Sequence, residues 1–241
     1  NTGAFSDEEL AANQSQLDSA IDSITRIANT ATFGGLKLLN GSLDYTLSGV
    51  SNSAISKATV NGASFIGSNN HEVTVDVVAS AQVGALYLSG TGTRTVGPDT
   101  FGPAEILSAT TLRVAGSEGV TEVSFQPGAD YDAVVRAIND QSSLTGVRAE
   151  LINGNPLSGV VFKSAAFGSS EFVSVERLDK PPSGVADAFR VFQIDADGPV
   201  PAGSPWATPG ILSTATRDSG RDTQALVNGT LATGRGLAVT V

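Results

Sequence analysis

A capped helix with a one-sided apolar seam runs from Ser6 to Ala28, and it limits what this chain can become. Ser6 is followed three residues later by Glu9, the reciprocal pattern in which a serine hydroxyl and a glutamate carboxylate satisfy free N–H groups of a first helical turn. Asp7, Glu8 and Glu9 place negative charge at the positive end of the helix dipole. Leu10, Gln14, Leu17, Ile21, Ile24 and Ala28 then recur at steps of four and three, while Gln, Ser, Asp and Asn fill the other side. A lone helix has nowhere to bury such a seam, so the spacing predicts partner helices.

The seam runs into Arg26-Ile27-Ala28-Asn29-Thr30-Ala31-Thr32-Phe33-Gly34-Gly35-Leu36-Lys37-Leu38-Leu39-Asn40-Gly41-Ser42. An amphipathic helix ending in a glycine turn accounts for the seam but not for this ordered run. The run resembles the segment that ends the long N-terminal rod helix of bacterial flagellins. The resemblance implies a subunit of an extracellular flagellar filament whose partners are other flagellin subunits. It also implies rod packing by Leu10, Leu17, Ile21, Ile24 and Ile27, with Phe33, Leu36, Leu38 and Leu39 beneath a β-hairpin. Asn40-Gly41 between Phe33–Leu39 and Leu43–Ser48 predicts the turn of that hairpin.

Downstream the pattern turns to β. Val73–Val78, Thr111–Ala115, Val120–Gln126, Phe172–Leu178 and Phe189–Ile194 read as strands, and Gly90–Gly102 as an exposed loop. Ala79–Leu88 fits a short helix or a strand. Asp130 is placed to cap a helix with Tyr131, Val134, Val135 and Ile138 on its inner face, and Gly146 is placed to stop it. Val147–Ile152 and Leu157–Lys163 around Asn153-Gly154 read as a hairpin. Ile138, Asn139, Thr145, Gly146 and Val147 resemble the short Ile-Asn module of flagellins and hook-associated proteins. Phe167–Val175 and Gly220-Arg221-Asp222 continue that resemblance.

The expected fold class is α+β: an amphipathic rod helix and hairpin, then a β-rich outer insertion of one or two lobes. The expected divisions are 1–49 (partial rod, with a helix over 6–30 and the β-hairpin), 50–108 (β-rich outer segment) and 109–241 (outer β-rich domain with the Ile-Asn module). Methionine is absent, even at position 1, which predicts a fragment or processed product. The rod's complementary helices are missing from it, so the chain is expected not to polymerise alone.

Composition excludes several functions. The net charge is -10, and the 14 Lys and Arg residues are scattered singly, which disfavours nucleic acid and anionic membranes as partners. Without cysteine there are no disulfides, thiolate metal sites or thiol nucleophile. His71, the single histidine, has no second histidine four residues on, and reads as a solvated loop residue. Asp130 with Asp132 and Asp195 with Asp197 lack the bidentate glutamate of a calcium loop. No catalytic, metal or cofactor site is therefore expected. The family resemblance leaves room for O-linked glycans on the abundant Ser and Thr. A rival reading is a glycan-binding adhesin module that stacks sugar on Trp206, for which a partly buried loop anchor is the favoured role.

Overall fold

Period-two alternation of apolar and polar residues builds the strands of this molecule, and a single helical period builds its longest helix. The computed structural model describes residues 6–33, 36–37, 45–51, 53–63, 70–90, 94–96, 99–101, 103–179, 189, 191–194 and 212–241. The chain divides into two units, Asn1–His71 and Glu72–Val241.

The first unit holds α1 (Asp7–Thr30), β1 (Thr32–Phe33) and β2 (Leu36–Lys37). The helix begins where the cap chemistry places it. The Glu9 N–H donates to Ser6 Oγ at 3.3 Å, and the Ser6 N–H donates to Glu9 Oε2 at 2.8 Å. It ends as Ala31 turns extended while its N–H still donates to the Ile27 carbonyl. The hairpin differs from expectation: Thr32 pairs with Lys37 and Phe33 with Leu36, which leaves only Gly34-Gly35 between the strands. The strands therefore pair before Asn40-Gly41 is reached. Tyr45–Ser48 forms no strand, and Leu38, Leu39 and Asn40-Gly41 lie outside the described residues.

The second unit contains, in chain order, β3 (Val75–Ala79), β4 (Ala85–Leu88), β5 (Arg94–Val96), β6 (Asp99–Phe101), β7 (Thr110–Gly116), β8 (Val120–Phe125), α2 (Tyr131–Asp140), α3 (Ser142–Thr145), β9 (Val147–Leu151), β10 (Val160–Ser164) and β11 (Phe172–Arg177). There follow β12 (Val191–Ile194), β13 (Leu212–Thr214), β14 (Arg217–Ser219), β15 (Gln224–Val227), β16 (Thr230–Leu231), β17 (Thr233–Arg235) and β18 (Ala238–Thr240). An antiparallel sheet of order β13-β12-β4-β10-β9 and another of order β14-β11-β7-β8 are the two largest. Among the described residues there are also a smaller sheet, β16-β15-β3, and the hairpins β17-β18 and β5-β6. The architecture is α+β with a β-rich domain.

One buried cluster joins the two large sheets. Leu86, Leu88, Val160, Phe162 and Val191 come from one, Leu112, Val114, Val173 and Val175 from the other, and Tyr131, Val134 and Ile138 from α2. Because β4 pairs with both β10 and β12, residues 85–88 share a sheet with residues far beyond 109. The division between the two units falls between His71 and Glu72, so β4 and its partners belong to one unit. Ala85–Leu88 resolves as a strand, and Gly90–Gly102 contains the β5-β6 hairpin. The β9–β10 connection is also longer than a two-residue turn: Leu151 pairs with Val160 across two short 3-10 turns. Glycine makes that connection fit. A Cβ on Gly90 would stand 2.1 Å from the Pro156 carbonyl oxygen, and one on Gly159, where φ is +102°, 2.1 Å from that of Leu88.

Asp222 ties the tail to this domain. Ser169 donates its hydroxyl to Oδ2 and its N–H to Oδ1 at 3.0 Å, while the Gly236 N–H donates to Oδ1 at 2.6 Å. The Ser169 hydroxyl, these N–H groups and nearby Arg235 hold the Asp222 carboxyl below its ordinary 3.8. A depressed carboxyl pKa stabilises the fold above its unfolded value and loses that contribution as pH falls through the folded one.

Two outcomes follow from this packing. Phe162→Ala, at a position with no exposure, should lower unfolding free energy by about 3–5 kcal/mol in denaturant melts, whereas exposed Val120→Ala should stay within about 0.5 kcal/mol. For Asp222→Asn, the gap in thermal midpoint from the unmodified chain should be widest above pH 3.8 and close below it. A gap independent of pH would remove Asp222 from the account.

Candidate assembly surface

Apolar side chains on one face of a helix mark a surface meant to be covered, and α1 carries such a face in the open. Leu10, Leu17, Ile21, Ile24 and Ile27 are 50–65% exposed. At 100° per residue, Leu10, Leu17, Ile21, Ile24 and Ala28 cluster on one side of the helix, with Ile27 on its flank. The opposite side is finished with hydroxyls. Ser19 Oγ donates to the Ser15 carbonyl at 2.8 Å, Ser23 Oγ to that of Ser19 at 2.8 Å, and Thr30 Oγ1 to that of Arg26 at 2.8 Å. Gln14, the polar member of the seam, donates through Nε2 to Asp18 Oδ1 at 2.9 Å. The two faces thus have opposite chemistry: one offers hydrocarbon, and the other turns its polar groups back onto its own backbone. Phe33 and Leu36 are backbone partners in the β1-β2 register.

The Ile-Asn residues form a closed local device. Asp130 caps α2 by accepting the Ala133 N–H at 2.7 Å, which directs Tyr131, Val134 and Ile138 into the core. Asn139 then acts as a pseudo-backbone partner for β9: its Nδ2 donates to the Ala149 carbonyl at 2.9 Å, and its Oδ1 accepts the Ala149 N–H at 2.9 Å. Thr145 is buried, donates to the Gln141 carbonyl at 3.0 Å and accepts the Val147 N–H at 3.2 Å. Gly146 takes the left-handed angle, φ 72°, that ends α3, and Val147 enters β9 fully buried. Each residue type is thereby explained by a bond or an angle that its neighbours require.

Sequence spacing carries no signal for the cluster around Arg177 and Asp179, to which strand register brings Ser108 and Thr111. Arg177 Nη2 donates to Asp179 Oδ2 at 2.7 Å and to Ser108 Oγ at 2.9 Å, and the Thr111 N–H donates to Asp179 Oδ1 at 2.6 Å. Burial pushes the Asp179 carboxyl up, but the Thr111 N–H and the Arg177 guanidinium outweigh it and leave it below the ordinary range. The small cleft between Ser108, Thr110, Tyr131 and Arg177 has room for about one water molecule. Among the described residues there is no cluster of three metal-ligating side chains and no helix long and apolar enough to cross a membrane. His71 is exposed; Asp195, Asp197 and Trp206 lie outside the described residues.

Residues 111–166, which span β7 to β10 with α2 and α3, match the family model of the flagellin hook IN motif. The match covers this module and not the rest of the chain. No curated protein matches the chain. Similar solved structures include the flagellar cap protein FliD from Bdellovibrio bacteriovorus, at 13% identity over 68% of this chain and 76% of that one, with a TM-score of 0.39. The D2-D3 domains of FliD from Escherichia coli match at 17% identity over 68% of this chain and 72% of that one, with a TM-score of 0.38. FliD (HAP2) from Pseudomonas aeruginosa PAO1 matches at 16% identity over 68% and 66%, with a TM-score of 0.39. At TM-scores this low, none of these superpositions establishes a shared fold.

The Asn139 pairing gives a direct check. Asn139→Ala removes both bonds to Ala149 and should cost about 1–3 kcal/mol, read by chemical denaturation and by faster hydrogen exchange at the Ala149 amide. Asn139→Asp keeps the acceptor and should retain part of that protection. An unchanged exchange rate in Asn139→Ala would show that the pairing does not hold β9.

Proposed function

We propose that this chain is the central, surface-displayed part of a structural subunit of the bacterial flagellar filament. In this reading the α1 seam packs in the filament rod, and the β-rich second unit stands outward as an insertion. The observation that carries it is the open seam of Leu10, Leu17, Ile21, Ile24 and Ile27 in a chain that also bears a flagellin hook IN motif. Burying each of these side chains fully is worth about 1.5–3 kcal/mol relative to full exposure, and α1 has realised at most half of that. Assembly with partner helices supplies the remainder. The role is mechanical: rod residues hold neighbouring subunits, Phe33 and Leu36 set the turn at the end of the helix, and Leu38 and Leu39 are assigned to the same turn. Ile138, Asn139, Thr145, Gly146 and Val147 keep the outer domain folded. Other flagellin subunits are the partners, and motility is the process served.

In the bacterium that makes it, the full-length protein with Leu17, Ile21 and Ile24 all replaced by serine should still leave the cell but fail to form filaments, with swimming lost. Gold-labelled antibody raised against residues 72–241 should decorate unmodified filaments along their whole length. Label confined to the filament tip would assign the chain to a cap instead, and wild-type swimming by the triple variant would remove the seam from assembly.

A further inference from the structure

Four asparagines in this chain precede glycine: Asn40, Asn61, Asn153 and Asn228. Glycine leaves its own peptide nitrogen unshielded, so that nitrogen has access to the preceding side-chain amide carbon. Asn40 lies outside the described residues, and the other three sit in sharply different surroundings. Asn228 is clamped on both sides in the β15–β16 turn. Its N–H donates to the Thr74 carbonyl at 2.9 Å, and its Oδ1 accepts the Thr74 N–H at 2.9 Å. Asn153 has no side-chain hydrogen bond among the described residues, but its 3-10 turn is fixed by Ile152 N–H to the Gly159 carbonyl and Asn155 N–H to the Ile152 carbonyl. Asn61 is exposed, outside any helix or strand, and likewise without a side-chain hydrogen bond among the described residues. No heavy atom stands within 4 Å of where a Cβ on Gly62 would be.

We propose that Asn61 is a site of spontaneous deamidation, with Asn153 slower and Asn228 protected by its clamp to Thr74. The Gly62 nitrogen, on losing its proton to solvent base, bonds to the Asn61 Cγ. The tetrahedral adduct collapses with loss of ammonia to a five-membered imide. Water then adds at one of the two imide carbonyls and opens the ring to aspartate or isoaspartate. No oxidant or cofactor enters, since water is the only co-reactant. The product adds a negative charge to a chain that already carries -10. The isoaspartate form also reroutes the backbone through the side chain, two residues from Ala63, whose N–H donates to the Tyr45 hydroxyl at 2.9 Å.

The test is to incubate the whole chain at mildly alkaline pH, in buffer and in strong denaturant, and then follow the Asn61, Asn153 and Asn228 peptides by mass and isoaspartate content. In buffer, Asn61 should convert first, Asn153 next, and Asn228 about fivefold or more slower than Asn61, the effect of one retained hydrogen bond. In denaturant the three rates should converge, and Asn61→Gln should abolish the first product in both. Equal rates for Asn61 and Asn228 in buffer, Asn153 ahead of Asn61, or an Asn61 that converts only in denaturant would overturn the proposal.

Discussion

Hydrocarbon left in water on α1 is the constraint from which the rest of this molecule takes its meaning. A helix of 24 residues with a capping box is longer than the roughly 12–15 residues below which isolated helices are marginal, but helices in proteins draw most of their stability from packing an amphipathic face. Yet its large apolar side chains are about half exposed or more, and its opposite face is closed off by Ser and Thr hydroxyls bonded to the helix's own carbonyls. Such a helix is complete only in company.

The second unit obeys the opposite economy. Its core residues are drawn from two sheets and one helix, and Phe162, Leu86, Leu112, Val173 and Ile138 are fully or almost fully removed from water. Polar groups are matched as well: Asn139 completes the edge of β9, buried Thr145 closes its turn, and Asp222 gathers donors from two loops. The second unit has a buried core, and the apolar seam of α1 has none. That contrast suits a display domain attached to an assembling segment, the division of labour proposed for this chain.

Much of this was legible in residue order because the deciding interactions are local. Ser6 and Glu9 meet three residues apart, and Asp130 caps its own helix three residues on. The seam follows from helical period alone, and Gly146 from the angle that ends α3. What sequence did not place was set by distant partners. Ala85–Leu88 became a strand because β10 and β12 flank it, and the first hairpin closed at Gly34-Gly35 because β1 and β2 pair before Asn40 is reached. Arg177 and Asp179 are two residues apart, but the Ser108 and Thr111 groups that complete their cluster arrive through strand register. Neither of these has a periodicity to betray it.

The chain has no cysteine, so a single introduced thiol reports on one position without background. Leu17→Cys places that thiol on the seam and Ser23→Cys places it on the hydroxyl-lined back of the same helix. Maleimide labelling of the two variants, as free subunits and as assembled filaments, measures the burial of each face. The account predicts that both thiols react in the free subunit and that assembly protects Leu17→Cys far more than Ser23→Cys. Equal labelling of Leu17→Cys before and after assembly would contradict it, because the seam would then remain in water in the filament.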